Sequence, residues 1–207
     1  MMPESTSEIK VPRTIVLVGL MGAGKTCIGK RLAACLGTEF VDADAEIESA
    51  AGMSISEIFE VHGESGFRQG ERRVIARLLR RPPHVMATGG GAFMNEKTRE
   101  LIKRRAISVW LRADLDLLVR RTSRRSHRPL LRGRDHREVL GKLMEERHPV
   151  YAKADVVVDS ADGPPEAMAE QVARAVMDYV RRSGIDGPEE VADDGCILPE
   201  SDKEMTW

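Results

Sequence analysis

Residues Ile15 to Cys27 read IVLVGLMGAGKTC, and the interpretation of the chain grows from that segment. Four apolar residues run directly into Gly19, Gly22 and Gly24, followed by Lys25 and Thr26. Three glycines after a strand-like run are conformationally costly unless the backbone itself has a task. Backbone N–H groups lining a concave loop can hold an anion, and the positive end of a following helix dipole favours the same occupant. Gly19, Gly24, Lys25 and Thr26 fit G-x-x-x-x-G-K-[ST] without mismatch, between a strand-like and a helix-like segment. In that pattern the lysine places a point charge on the β- and γ-phosphates of a nucleoside triphosphate, and the threonine offers its hydroxyl to Mg²⁺. No N-K-x-D guanine-reading motif occurs, which points to ATP.

Working outward, five short apolar runs read as buried strands: Thr14–Val18, Glu39–Val41, His84–Thr88, Ala106–Leu111 and Asp155–Val158. Ile28, Leu32 and Leu36 recur every four residues after the lysine, marking one face of a helix, and Gly37 stands where that helix would close. Strands alternating with amphipathic stretches predict a parallel sheet covered on both faces. About forty residues separate the second and third strands, too many for one crossover helix. They read as an inserted helical lobe with helices at Ala43–Ala51, Ser54–Val61 and Gly63–Arg80. A second interruption, RRTSRRSHRPLLRGRDHR from Arg120 to Arg137, has eight arginines and reads as a lid or a solvated basic loop. The last helix is expected over Pro165–Arg182. The acidic, turn-rich segment after it is expected to be a disordered tail.

The bulk properties exclude several classes. A chain of 207 residues can bury a sizeable core without a disulfide or metal. A net charge of −1 argues neither for nucleic acid nor for an anionic membrane, and 4% aromatic content speaks against stacked-base recognition. No apolar run approaches membrane-spanning length, and the polar start MMPESTSEIKVPR lacks a secretory h-region. Cys27 and Cys35 would lie roughly 12 Å apart on one helix, too far for a disulfide; with Cys196 they read as reduced thiols of a cytoplasmic protein.

Three further segments suggest a second ligand beside the nucleotide. In FVDADAEIE, Asp42 and Asp44 would face the same way if the strand continues through them, at the ligand-binding edge of such sheets. One could serve Mg²⁺ through its water shell and the other an acceptor hydroxyl; equally, either could cap the helix starting near Ala45. Gly89, Gly90 and Gly91 directly follow a buried strand, which suits either a closely approaching ligand or a loose turn. Arg68 and Arg147 read by default as solvated helix residues. The arginines of the basic interruption could close over the γ-phosphate or simply be solvated.

Taken together, GLMGAGKT, DAD, GESGFRQGE, TGGG, RPLL and ERHPVY resemble, in order and spacing, the shikimate kinases, small P-loop enzymes related to nucleoside-monophosphate kinases. The resemblance runs from about Arg13 to Val180. It implies a three-layer αβα fold of P-loop NTPase type, with five parallel strands in the order 2-3-1-4-5. An acceptor lobe is expected over about 43–80 and a lid over about 123–135. Residues 1–12 would be an extension, 13–183 the kinase domain and 184–207 the tail.

The implied activity is ATP-dependent phosphorylation of the 3-hydroxyl of shikimate, with Mg²⁺, by a cytoplasmic monomer that has neither nucleic-acid nor membrane partners. By the same resemblance, Lys25, Asp44 and Arg128 are the catalytic candidates. Gly22, Ala23, Gly24, Lys25, Thr26, Cys27, Arg121 and Arg128 would contact ATP. Asp44, Arg68, Gly89, Gly90, Gly91 and Arg147 would contact shikimate, and Thr26 and Asp42 would serve the metal, Asp42 through water. Glu71 would orient Arg68, while Phe59 and Phe67 would wall the acceptor pocket. Cys27 departs from the family, which usually has a second hydroxyl there, and Gly70 falls inside a predicted helix at a cost of about 1 kcal/mol relative to alanine. A loose transition state lets an aspartate of ordinary pKa, about 4, act mainly by orienting the hydroxyl. A kinase for another hydroxy acid such as gluconate, a noncatalytic ligand sensor and a nucleic-acid binder remain the competing readings.

Overall fold

The computed structural model describes residues 11–123 and 135–185. Strand β1, Thr14–Val18, is buried at all five positions, the signature of a central strand covered on both faces. Helix α1, Lys25–Cys35, turns its Ile28, Gly29, Leu32 and Ala33 into the core. It ends as its glycine predicts: Gly37 N–H donates to Ala34 O at 3.3 Å and Thr38 N–H to Ala33 O at 2.9 Å, a Schellman pair of bonds.

Strand β2, Phe40–Asp42, is followed without a break by α2, Ala43–Ala51. Helix α3, Ile55–Leu78, opens with a reciprocal capping box between Ser54 and Glu57. Its φ of 66° at Gly63 kinks it where two separate helices were expected, so the predicted boundary is a bend within one element. Strand β3, Val85–Ala87, leads through Gly89–Gly91 into a short 3₁₀ turn, Ala92–Met94. Helix α4, Glu96–Arg105, and strand β4, Ala106–Arg112, come next. After them come α5, Leu115–Ser123, α6, His136–Tyr151, strand β5, Val156–Asp159, and α7, Pro165–Ser183.

The sheet order is β2-β3-β1-β4-β5, and every pairing is parallel, so all strands end at one edge. That edge collects the turns after β1, β2 and β3, the three segments singled out in the sequence. Among the described residues no helix is long and apolar enough to cross a membrane.

The basic interruption is shorter than its composition suggested. Arg120 and Arg121 belong to α5, and Arg137 belongs to α6, whose N-cap is Asp135. Arg120 pairs with Asp162 at 2.5 Å, and Arg137 pairs with Asp116. Residues 124–134, and with them Arg128 and nearly all of the expected lid, lie outside the described residues, as do 186–207 of the expected tail, including Cys196.

Gly19 shows why the first turn needs glycine. Its φ is 137°, and a methyl group there would lie 2.8 Å from the backbone carbonyl oxygen of Leu111, which cannot step aside. Gly19→Ala is therefore expected to lower unfolding free energy by about 1–3 kcal/mol. A urea titration reads this as a lower midpoint with an unchanged slope; an unchanged midpoint would mean that the loop relaxes at no cost.

Candidate active site

One cavity of about 1160 Å³ opens at the strand edge. Gly22, Gly24, Lys25, Thr26, Cys27 and Arg121 line one end, and Asp44, Phe59, Phe67, Arg68, Glu71, Gly89, Gly90, Gly91 and Arg147 the other, with Asp42 between. Thus the described residues expected at two adjoining ligands, Ala23 apart, line one space.

At the phosphate-loop end, Lys25 Nζ donates to Gly19 O at 2.8 Å and Leu20 O at 3.1 Å, which draws the ammonium back over the mouth of its own loop. Ala23 is the exception among the expected nucleotide contacts. It is buried, its N–H closes a turn onto Leu20 O at 3.2 Å, and it packs the loop rather than lining the cavity. Arg121 reaches the loop from α5. Its guanidinium donates to Gly22 O at 3.4 Å, Ser160 Oγ at 3.0 Å and Ala161 O at 2.8 Å, tying the loop to the segment after β5. Cys27 is partly exposed on the first turn of α1, and its Sγ accepts from Arg31 Nη1 at 3.2 Å.

Asp42 and Asp44 do not lie on one continuing strand. The strand ends at Asp42, which caps α2 by accepting from Asp44 N–H at 3.1 Å through Oδ1. Its other oxygen accepts from Thr26 Oγ1 at 3.1 Å. Capping and a site role are therefore not alternatives for Asp42: one oxygen fixes the helix start and the other meets the loop hydroxyl. Among the described residues no group of three or more His, Cys, Asp or Glu gathers to hold a metal by itself. The Thr26 hydroxyl and Asp42 carboxylate form a hard-oxygen pair, which suits Mg²⁺ bound chiefly by water and phosphate oxygens.

Placing Asp44 on the first turn of α2 buries it. That burial, with the Asp42 charge, raises its pKa above the ordinary range, and Lys25 and Arg68 oppose the rise. The expectation of an ordinary aspartate is thus corrected.

The glycine turn is not a loose one. A methyl group at Gly89 would lie 2.7 Å from Asp44 Oδ1, at Gly90 3.3 Å from Arg147 Nη1, and at Gly91 2.3 Å from Arg68 Nη2. Each glycine leaves room for one charged side chain, and the three converge there from α2, α6 and α3. Neither Arg68 nor Arg147 is a plain surface residue. Arg68 Nη1 donates to Glu71 Oε2 at 2.7 Å, and Glu71 is 2% exposed. Burial pushes the Glu71 carboxyl up while the Arg68 cation pulls it down. Arg147 has a buried Nε with no hydrogen-bond partner. Phe59 and Phe67 stack at 4.5 Å beside them, and Arg68 lies over the Phe67 ring at 5.1 Å.

Sequence reasoning passed over several cavity residues: Met21, Lys30, Arg31, Ile55, Pro165 and Met168 also line it. Ile55 follows a recognisable cap signal, Ser54 with Glu57, which was the available hint that a helix starts at the cavity. Pro165 and Met168 come from α7, some 140 residues after the loop, and no local pattern announces them.

A parallel sheet of this order, a glycine-rich anion cradle at the end of its first strand, and a carboxylate with two arginines across the same cavity define a P-loop kinase fold for a small acceptor. The profile of the family Shikimate kinase matches residues 21–177. The chain belongs to the shikimate kinase family. The shikimate kinase of Paramagnetospirillum magneticum is 59% identical over 171 residues, covering 83% of this chain and 88% of that protein. That of Caulobacter vibrioides strain NA1000 is 58% identical over 164 residues, covering 79% and 82%. Among solved structures, shikimate kinase from Acinetobacter baumannii in complex with shikimate superposes with a TM-score of 0.78 at 38% identity, over 82% of this chain and 96% of that one.

Proposed function

We propose that this chain transfers the γ-phosphoryl group of ATP to the 3-hydroxyl of shikimate, giving 3-phosphoshikimate and ADP on the route to chorismate and the aromatic amino acids. The observation that carries the reading is the glycine turn, where Asp44, Arg68 and Arg147 meet across one cavity from Lys25. A carboxylated, polyhydroxylated ring matches that set: two guanidinium forks for the carboxylate, a carboxylate for a hydroxyl and stacked phenylalanines for the ring's apolar side.

In this reading Arg68 is held in place by Glu71 and pairs with the acceptor carboxylate, together with Arg147. Asp44 accepts the hydroxyl proton or orients the hydroxyl toward phosphorus. Lys25 and the loop N–H groups neutralise charge on the transferring phosphoryl group, whose loose transition state demands positioning more than a strong nucleophile. Thr26 and Asp42 would hold Mg²⁺, Asp42 through water; when bound, the ion supplies charge compensation at the phosphates. Arg128, outside the described residues, is assigned to the lid that completes this charge shell and keeps water away.

The catalytic unit is taken as 13–183, with the profile match inside it, and 1–12 and 184–207 as an extension and an acidic tail. A cytoplasmic monomer is assigned from the family resemblance, and the free thiols Cys27 and Cys35 suit a reducing compartment. ATP and shikimate are its assigned partners, with neither nucleic acid nor membrane among them.

ADP release from purified protein with Mg²⁺ and a panel of hydroxy acids tests the reading. Turnover is expected with shikimate. Turnover of gluconate alone would assign another acceptor, and binding of both ligands without product would make the protein a sensor. Within that assay, Arg68→Lys is expected to raise KM for shikimate about 10- to 100-fold, the worth of one charge-assisted hydrogen bond, with KM for ATP little changed. Equal losses on both substrates would remove Arg68 from the acceptor.

A further inference from the structure

Tyr151 ends α6, one helical turn beyond Arg147, and no role follows for it from the phosphate loop or the arginine pair. It is a polar residue with none of its surface exposed. Its ring lies among Trp110, at 5.9 Å between centroids, and Phe93, at 6.4 Å. Packing alone would be met by phenylalanine. The hydroxyl, however, donates to the carbonyl oxygen of Gly90, the middle residue of the turn on which Asp44, Arg68 and Arg147 converge. Burial pushes the phenol up to about 12, against the pull of the Arg147 cation, so the hydroxyl keeps its proton and remains a donor at neutral pH.

That bond fixes the middle peptide of the turn, whose neighbours are held separately: Gly89 O accepts from Ala92 N–H at 3.2 Å and Gly91 O from Met94 N–H at 3.0 Å. Three successive glycines have no side chains to fix their peptide planes, and glycine tolerates most orientations of those planes. No described peptide bond is cis, and in a trans peptide the N–H points opposite to the C=O. Drawing Gly90 O toward Tyr151 therefore turns Gly91 N–H the other way, and Gly91 lines the cavity beside Arg68. The same hydroxyl is 3.6 Å from where a methyl group on Gly90 would sit, and Arg147 Nη1 is 3.3 Å from that point, so helix α6 and the turn are registered against each other there.

We propose that Tyr151 is a positioning residue for the acceptor: its hydroxyl locks the Gly90–Gly91 peptide and sets the glycine turn against Arg147. The role rests on the shikimate-phosphorylating reading, in which that turn and Arg147 receive the acid. It acts through the turn and touches no reacting atom.

The test compares the full-length wild type with Tyr151→Phe, which preserves the ring. An unpartnered Gly90 carbonyl and a free peptide plane are expected to raise KM for shikimate ~10-fold. KM for ATP and kcat should each stay within about threefold: Gly19 O of the phosphate loop lies 3.6 Å from the same methyl position on Gly90, but it is held by Lys25 and is not a partner in the Tyr151 bond. A purely structural role would lower the melting temperature and leave the two KM values unmoved relative to each other. An unchanged shikimate KM, or parallel rises for both substrates, overturns the proposal.

A second measurement avoids the variant. The chain has two tyrosines, Tyr151 and Tyr179. With 3-fluorotyrosine incorporated and Tyr179→Phe to assign the signal, the Tyr151 fluorine resonance is expected to move on adding shikimate and to stay put with ADP alone. No response to shikimate in a protein that turns it over would overturn the role of Tyr151 while leaving the functional reading intact. Absence of wild-type turnover would overturn both.

Discussion

Lys25→Ala is expected to lower kcat by on the order of 10²- to 10³-fold while the chain stays folded. The physical case rests on where the ammonium is held. Gly19 O and Leu20 O grip Nζ at 2.8 and 3.1 Å, so the charge sits over the loop mouth rather than sampling solvent. Charge that is fixed before the reaction needs no reorganisation during it, and in a site screened from water it acts on the phosphoryl oxygens more strongly than a mobile ion. Alanine removes that charge and two hydrogen bonds to partly buried carbonyls. The bonds contribute at most about 1–2 kcal/mol to stability, so a modest drop in melting temperature is expected. Gly19→Ala should behave oppositely, costing stability through the backbone with the lysine still present. Kinetics and thermal melts on both variants separate the effects; near-wild-type turnover by Lys25→Ala would remove the lysine from the chemistry.

The parts of this molecule that were legible in the sequence are those whose causes are local. The buried parallel strands appear as apolar runs, and Gly37 announces a helix end through its own backbone freedom. The structure shifts strand ends by a residue or so, as at β2, which extends to Asp42 because that residue both pairs with Ala87 and caps α2. What stayed illegible is set by distant partners. Arg147 reads as a surface residue on its helix and comes to line the cavity only because β3 delivers Gly90 beside it. Arg121 lies in a basic run whose composition says nothing of the loop carbonyls it binds 98 and 99 residues away. Family resemblance supplied those positions because it summarises tertiary arrangement; periodicity could not. Asp44 shows the limit of both. Its spacing from Asp42 suggested two carboxylates facing the same way along one strand, but the helix start placed one as a cap and buried the other.

That burial leads to the second large effect. Asp44→Asn is expected to cut kcat about 10²- to 10⁴-fold, the usual worth of a positioned general base, and at neutral pH to make the protein more stable rather than less. Desolvation and the Asp42 charge raise the folded-state pKa of Asp44 above its unfolded value. A group shifted upward binds its proton more readily in the folded state, so its stabilising contribution is complete below the unfolded pKa and is lost as pH rises through the folded pKa. Wherever the pH exceeds that raised pKa, Asp44 is an ionised group held against a desolvation cost, and the neutral amide lifts that cost without changing shape. The melting temperature of the asparagine variant should exceed that of the wild type at pH 7, and the gap should shrink as pH falls toward about 4, where the aspartate carries its own proton. The same shift predicts that the acid limb of wild-type kcat/KM for shikimate lies above the ordinary carboxylate range, since the reaction needs the ionised form. Melts and rate profiles from pH 4 to 8 check both curves. Equal stability of the two proteins at pH 7 would mean that solvent or Lys25 compensates the charge fully, and an acid limb at the ordinary aspartate value would leave burial without a catalytic consequence.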